Sequence, residues 1–210
     1  SELYAWIALL LAILTFGMET TFFRFSQKED SRKVFNNAET LVLLISTVFL
    51  LFYCFFYKSF AELIHYEFNT HYVLLLGIIV AVDAAAAIPF AMLRKENKAG
   101  RFSLIKTINV LTNIFFNILF LVIIPEKSMM IAEHIFGQQT SLLIWVFVSN
   151  ILASVLNLIL LAPQLSTLKI SLNKELIVPM LKYSFPILLI SLVGMINEVA
   201  DKILIKYLVT

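Results

Sequence analysis

The chain has 210 residues, of which 60% are hydrophobic and 14% charged, with a formal net charge of +2 and a mean hydropathy of +0.92. A water-soluble domain of this length needs far more surface charge, so the composition excludes a soluble globular protein and points to lipid as the solvent. The small net charge and the confinement of basic residues to loops exclude a nucleic-acid-binding stripe, and the single cysteine, Cys54, excludes an intrachain disulfide or a cysteine metal cluster.

About 20 apolar residues cross the hydrocarbon core of a bilayer as a helix, and six stretches reach or approach that length. The first, 2–25, is too long and too polar at its end to be a cleavable signal peptide. Its second half holds Glu19 and Arg24, with Thr15 one turn before Glu19. The second, 40–57, is continuously apolar from Leu41 to Phe56 and lacks the alternation of a barrel wall, so the spans are helices rather than strands. The third, 70–93, carries Asp83 near its middle with no basic residue one turn away. An acid at that depth costs several kcal/mol unless it faces protein or water. Asp83 is therefore either a structural acid bonded to a neighbouring helix or a working group for a proton or cation. Ala84 to Ala87 beside it favour close helix packing, and Pro89 a kink.

The fourth span, 102–124, places Lys106, Asn109, Asn113 and Asn117 at spacings of three, four and four, hence on one helical face. A stripe of this length is predicted to face a cavity, although any single asparagine serves equally well as glue between helices. The fifth, 141–163, repeats the device with Asn150, Ser154 and Asn157, which read first as packing residues. Residues 164–178 interleave polar side chains with leucine and isoleucine, the pattern of an amphipathic interfacial segment. The sixth span, 180–208, crowds Asn197, Glu198, Asp201, Lys202 and Lys206 into its outer half, where water or a partner helix must cover them unless the helix emerges from the membrane there. Nucleophile motifs, glycine-rich phosphate loops and histidine pairs at metal-ligand spacing are all missing from the sequence, so an enzyme is not expected.

Loop charges orient the bundle. The first, third and fifth connections and their flanks hold Arg24, Lys28, Arg32, Lys33, Arg94, Lys95, Lys98, Arg101, Lys106, Lys169, Lys174 and Lys182, whereas the second and fourth hold only Lys58 and Lys127. Basic residues are retained on the cytoplasmic side, so the loops near 26–39, 94–101 and 164–178 are expected in the cytoplasm and Ser1 outside. That orientation predicts a helix ahead of Ser1 and a continuation past Thr210.

Three stretches resemble the prokaryotic polysaccharide flippases. The run Gly-Met-Glu-Thr-Thr-Phe-Phe-Arg-Phe from Gly17 to Phe25 is similar to the end of that family's second helix. Ile88 to Arg94, followed by Lys98, Ala99, Arg101, Phe102, Lys106 and Asn109, is similar to its cytoplasmic turn between helices four and five. Lys182 to Ile187, with Asn197, Glu198 and Asp201 beyond, is similar to the opening of its seventh helix. The family is related to the multidrug and toxin extrusion transporters and the lipid II flippases, and has two related bundles of roughly fourteen helices in all about a central cavity.

The resemblance implies that the chain is an all-α, polytopic partial copy of that two-lobed fold, covering helices two to seven. Residues 1–163 would form the N-terminal lobe without its first helix, 164–178 a cytoplasmic inter-lobe linker, and 179–210 the first helix of the C-terminal lobe. Such a partial copy is expected to be inactive by itself. The implied activity is movement of an undecaprenyl-diphosphate-linked oligosaccharide from the cytoplasmic to the outer leaflet of a bacterial or archaeal plasma membrane, for surface polysaccharide or lipopolysaccharide synthesis. The partners are then membrane lipid and the lipid-linked sugar, with no nucleic acid and no cofactor beyond proton or sodium coupling. Arg24 and Lys106 would attract the diphosphate, with Asn109, Asn113 and Asn117 lining the sugar path. Glu19 and Asp83 would couple the ion, and Asn197, Glu198, Asp201 and Lys202 would form an outer gate. An ion-coupled drug or metabolite antiporter of the same superfamily is the nearest rival, disfavoured by the basic cavity. A polysaccharide polymerase or ligase is a further one, disfavoured by the short outer loops.

Overall fold

The computed structural model describes the backbone of residues 2–63, 70–137 and 141–208 and the side chains of 6–63, 70–137 and 141–195. The protein is an all-α, polytopic membrane bundle: every regular element described is helical, and five helices are long and apolar enough to cross a bilayer. The outer-gate residues Asn197, Glu198, Asp201 and Lys202 have their side chains outside the described residues.

The first span is broken. Helix α1 (Glu2–Thr15) and helix α2 (Met18–Phe25) are separated at Phe16 and Gly17, whose φ angles are 49° and 64°. Thr15 bonds its hydroxyl back to the Leu11 carbonyl at 2.8 Å, a competition that weakens the end of a helix. Glycine is required at position 17 on two counts. Its φ is left-handed, and a Cβ there would lie 3.1 Å from Ile187 and 3.2 Å from the Ser184 carbonyl of the last helix.

Helix α3 (Ser31–Leu63) starts nine residues before the expected span at 40, because the Asp30 carboxylate accepts the Lys33 N–H at 2.8 Å and caps it. Its 33 residues are about 50 Å long, well beyond the ~30 Å hydrocarbon core. Nine of the extra residues precede the expected span, on the turns that carry Arg32 and Lys33, and six follow it.

Helix α4 (Thr70–Lys95) occupies the centre, packed against α1, α2 and α3 on one side and against α5 (Ala99–Ile118) and α7 (Ile144–Leu160) on the other. Its small side chains permit this. Ala81, Ala84, Ala86 and Ala91 are all buried, and Gly77 lies under the ring of Tyr53, whose hydroxyl donates to the Val73 carbonyl at 2.9 Å. By contrast, α5 buries little of itself. Leu104, Val110, Leu111, Ile114, Phe115 and Ile118 are exposed, which in a bilayer means contact with lipid tails and carries no penalty.

Helix α5 runs on through one π-helical turn, Leu119–Ile123. The expected outer loop after it is instead largely a helix, α6 (Pro125–Phe136), started by proline at its first position and held by the Trp145 indole N–H, which donates to the Ser128 carbonyl at 3.0 Å. The fifth expected span is reduced to the 17 residues of α7, followed by the short α8 (Ala162–Leu165).

The expected amphipathic linker also differs. From 164 to 167 there are only the end of α8 and a turn, 168–173 have no regular structure, and α9 (Lys174–Leu208) begins inside the predicted segment, capped by Asn173, whose Oδ1 accepts the Glu175 N–H at 2.9 Å. The predicted domain boundary at 179 falls within α9. The first turns of that helix share a core with the preceding helices: Leu176 and Met180 are buried in the cluster that contains Met18, Phe22, Phe35, Ala38 and Val42.

Candidate functional site

The polar groups of the spans gather into two sets. In the first, α4, α5 and α7 meet along a hydrogen-bonded seam. The Ser154 hydroxyl of α7 donates to Asp83 Oδ1 of α4 at 2.6 Å, so a neighbouring helix supplies the partner that α4 lacks within itself. The Asn113 amide of α5 donates to Asn150 Oδ1 of α7 at 2.9 Å, while Asn117 donates to the Asn113 backbone and side-chain oxygens at 2.9 and 2.7 Å. The expectation that the whole stripe faces a cavity is thus corrected for Asn113, which bonds to α7, and for Asn117, which folds back onto Asn113 of its own helix. The same spacing in α5 and α7 brings the two amide rows into register, which is why the packing residues of one helix partner the site residues of the other.

Asn109, half-buried on the same face of α5, makes no side-chain hydrogen bond among the described residues. Lys106 is exposed one turn nearer the N-terminal end of α5, with its ammonium 4.1 Å above the Phe90 ring. Asn157 is buried at 4% exposure with its Oδ1 unpartnered.

In the second set, α2 meets α4 and α9. Arg24 is exposed and lays its guanidinium 4.6 Å over the Tyr183 ring of α9. Glu19 pairs with Arg94 of α4 at 2.6 Å, both side chains being about half exposed. An exposed pair contributes at most about 1 kcal/mol, but it satisfies the Glu19 charge and so weighs against Glu19 as an ion-coupling acid. Arg94 was read from the sequence as a loop charge and as the end of the flippase-like stretch 88–94, with no site role. It stands 5.3 Å from the Phe23 ring and 5.4 Å from the Phe102 ring, bridging α2 and α5.

Arg24, Arg94 and Lys106 therefore form a row of cations across α2, α4 and α5, each on an aromatic face, and each such contact adds about 0.5–1 kcal/mol where exposed. A shallow apolar groove on α3, lined by Leu44, Ile45, Val48, Phe49 and Phe52, holds none of the candidate residues. No group of three or more metal-ligating side chains occurs among the described residues. Cys54 is exposed and free.

Sequence reasoning passed over one further residue, Glu39. It lies one position before the expected second span, where a carboxylate reads as a solvated end group, yet it is fully buried. The chain matches no known protein family, no curated protein and no solved structure.

The Asn113–Asn150 bond has a direct check. A double-mutant cycle with Asn113→Ala and Asn150→Ala should give a coupling of about 0.6 kcal/mol, typical of interhelical hydrogen bonds in membranes. Additive losses in unfolding from mixed micelles would show that the bond is not made in a lipid-like solvent.

Proposed function

We propose that the chain belongs to a membrane transporter that moves a lipid-linked oligosaccharide from the cytoplasmic to the outer leaflet by alternating access. The observation that carries this reading is the pair of cations Arg24 and Lys106, each on an aromatic face, with the unbonded Asn109 amide one turn beyond Lys106 on the same face of α5. A diphosphate needs cations that are not already neutralised. Arg24 and Lys106 meet aromatic rings and, among the described residues, no carboxylate within ion-pair distance. Sugar hydroxyls need groups that both donate and accept, which asparagine amides supply. Placing the cations at the cytoplasmic ends of their helices follows from the loop charges and puts the diphosphate where the substrate would enter.

The resemblance of three stretches to polysaccharide flippases supports the same substrate class and a bacterial or archaeal plasma membrane. An ion-coupled antiporter of related fold would share Asp83, but cationic drugs are repelled by such a pair.

The test is glycan export by cells whose surface polysaccharide depends on the natural protein. Arg24→Ala with Lys106→Ala should reduce export by about a hundredfold or more, the loss expected from removing two charge-assisted contacts to phosphate, with normal membrane insertion. Wild-type export by the inserted double variant would overturn the reading.

A further inference from the structure

Among the described residues, Glu39 is the only acidic or basic side chain that is buried. Its exposure is 0%, and neither carboxyl oxygen has a hydrogen-bond partner. It occupies the α3 face of Phe35, Val42 and Ser46, all buried, and the Ser46 hydroxyl is likewise unpartnered. A carboxylate placed there would lose its hydration without recovering it in hydrogen bonds or an opposite charge, a cost of several kcal/mol.

No counter-charge among the described residues lies within ion-pair distance of it. The helices packed on α3 carry Glu19 and Arg24 (α2), His71, Asp83, Arg94 and Lys95 (α4), and Lys174, Glu175, Lys182 and Tyr183 (α9), while the described side chains of α1 carry none. Among the described residues none of these forms a hydrogen bond or an ion pair with Glu39. On α3 itself, Arg32 turns to Glu96 at 3.7 Å and to the Thr167 hydroxyl.

The residues flanking Glu39 hold the linker. Asn36, Thr40 and Asn37 accept the backbone N–H groups of Lys169, Ser171 and Asn173 at 3.1, 3.2 and 2.7 Å, alternate residues of the 168–173 segment. Glu39 therefore lies within the footing of a strap that leads straight into α9, whose Leu176 and Met180 close the same core.

We propose that Glu39 is a proton-binding site, occupied while the linker is fastened to α3 and emptied when the linker and the first turns of α9 lift away. On opening, water reaches the carboxyl group, takes the proton from its O–H bond and hydrates the carboxylate left behind. Closing reverses the transfer. Because the closed arrangement holds the proton and the opened one does not, raising the pH favours opening. That this exchange accompanies each transport cycle rests on the reading above. The proton site does not.

The experiment uses the full chain in lipid nanodiscs near neutral pH. Infrared difference spectra between the parent and Glu39→Gln should show the loss of one protonated-carboxyl C=O band. Loss of a carboxylate band instead, or of neither, overturns the proposal. Glutamine preserves the shape of the side chain, and a parallel variant, Asn37→Ala with Thr40→Ala, releases the strap while leaving Glu39 in place. Amide hydrogen exchange at Lys169, Ser171 and Asn173, corrected for intrinsic rates, should lose protection as pH rises in the parent and stay level in Glu39→Gln. In the strap variant the C=O band should disappear at lower pH than in the parent. Identical pH profiles in parent and Glu39→Gln would also overturn the proposal. If the chain keeps the band but the natural protein exports no glycan in cells, the transport reading alone falls, and export by the natural protein without the band sinks the proton site alone.

Discussion

Gly77→Ala is expected to destabilise the bundle by about 2–4 kcal/mol, the sum of overpacking a dense interface and losing a buried hydrogen bond. The added Cβ would stand 2.2 and 2.3 Å from two ring carbons of Tyr53, so the ring must move. It has little freedom to do so. Tyr53 is 5% exposed, its hydroxyl is tied to the Val73 carbonyl one turn before Gly77, and Phe49 and Phe60 stand 5.0 and 5.6 Å from it, centroid to centroid. Any rotation that clears the methyl group gives up the hydroxyl bond, and any translation pushes α3 away from α4. Unfolding from mixed micelles, followed by circular dichroism, measures the loss. Tyr53→Ala should rescue part of it, since a smaller side chain makes room for the methyl, and the two substitutions should be non-additive by about 1–3 kcal/mol. A Gly77→Ala protein within about 0.5 kcal/mol of the parent would show that α3 and α4 do not meet as closely as described.

The spans were legible in the sequence because lipid imposes a length and a hydropathy that protein contacts barely modify. The central place of α4 was foreshadowed by Ala84 to Ala87, which only make sense where backbones approach. What the sequence hid were features set by contacts distant along the chain. The burial of Glu39 is bound up with the strap, 131 to 136 residues away by its hydrogen bonds, whereas the sequence read the approach to Glu39 as cytoplasmic loop and the strap as an amphipathic interfacial segment. The break at Phe16–Gly17 was masked by the apolar residues around it, and its partner surface at Ser184–Ile187 belongs to the last helix. Helix α6 looked like loop because its Glu126, Lys127, Glu133 and His134 are polar, although its Ser128 and Ala132 pack inward. In the candidate site, one-turn spacing identified both amide rows, but not that they face each other. That follows from the crossing of α5 with α7, which no local pattern encodes.

Asp83→Asn is expected to reduce transport at least tenfold while leaving the bundle folded, and this outcome rests on the transporter reading. Asparagine keeps an oxygen for the Ser154 hydroxyl, which now donates to Asp83 at 2.6 Å, so the α4–α7 contact survives and the melting transition should shift little. What disappears is the titratable carboxyl group, which asparagine cannot replace as a carrier of a proton or cation, so turnover should fall while substrate binding is largely kept. Ser154→Ala separates the two contributions, since it deletes the hydrogen bond and keeps the carboxyl group. Its stability should fall by about 0.5–1.5 kcal/mol with turnover largely retained. Equal turnover in Asp83→Asn and the parent would reduce Asp83 to a packing residue that fastens α4 to α7.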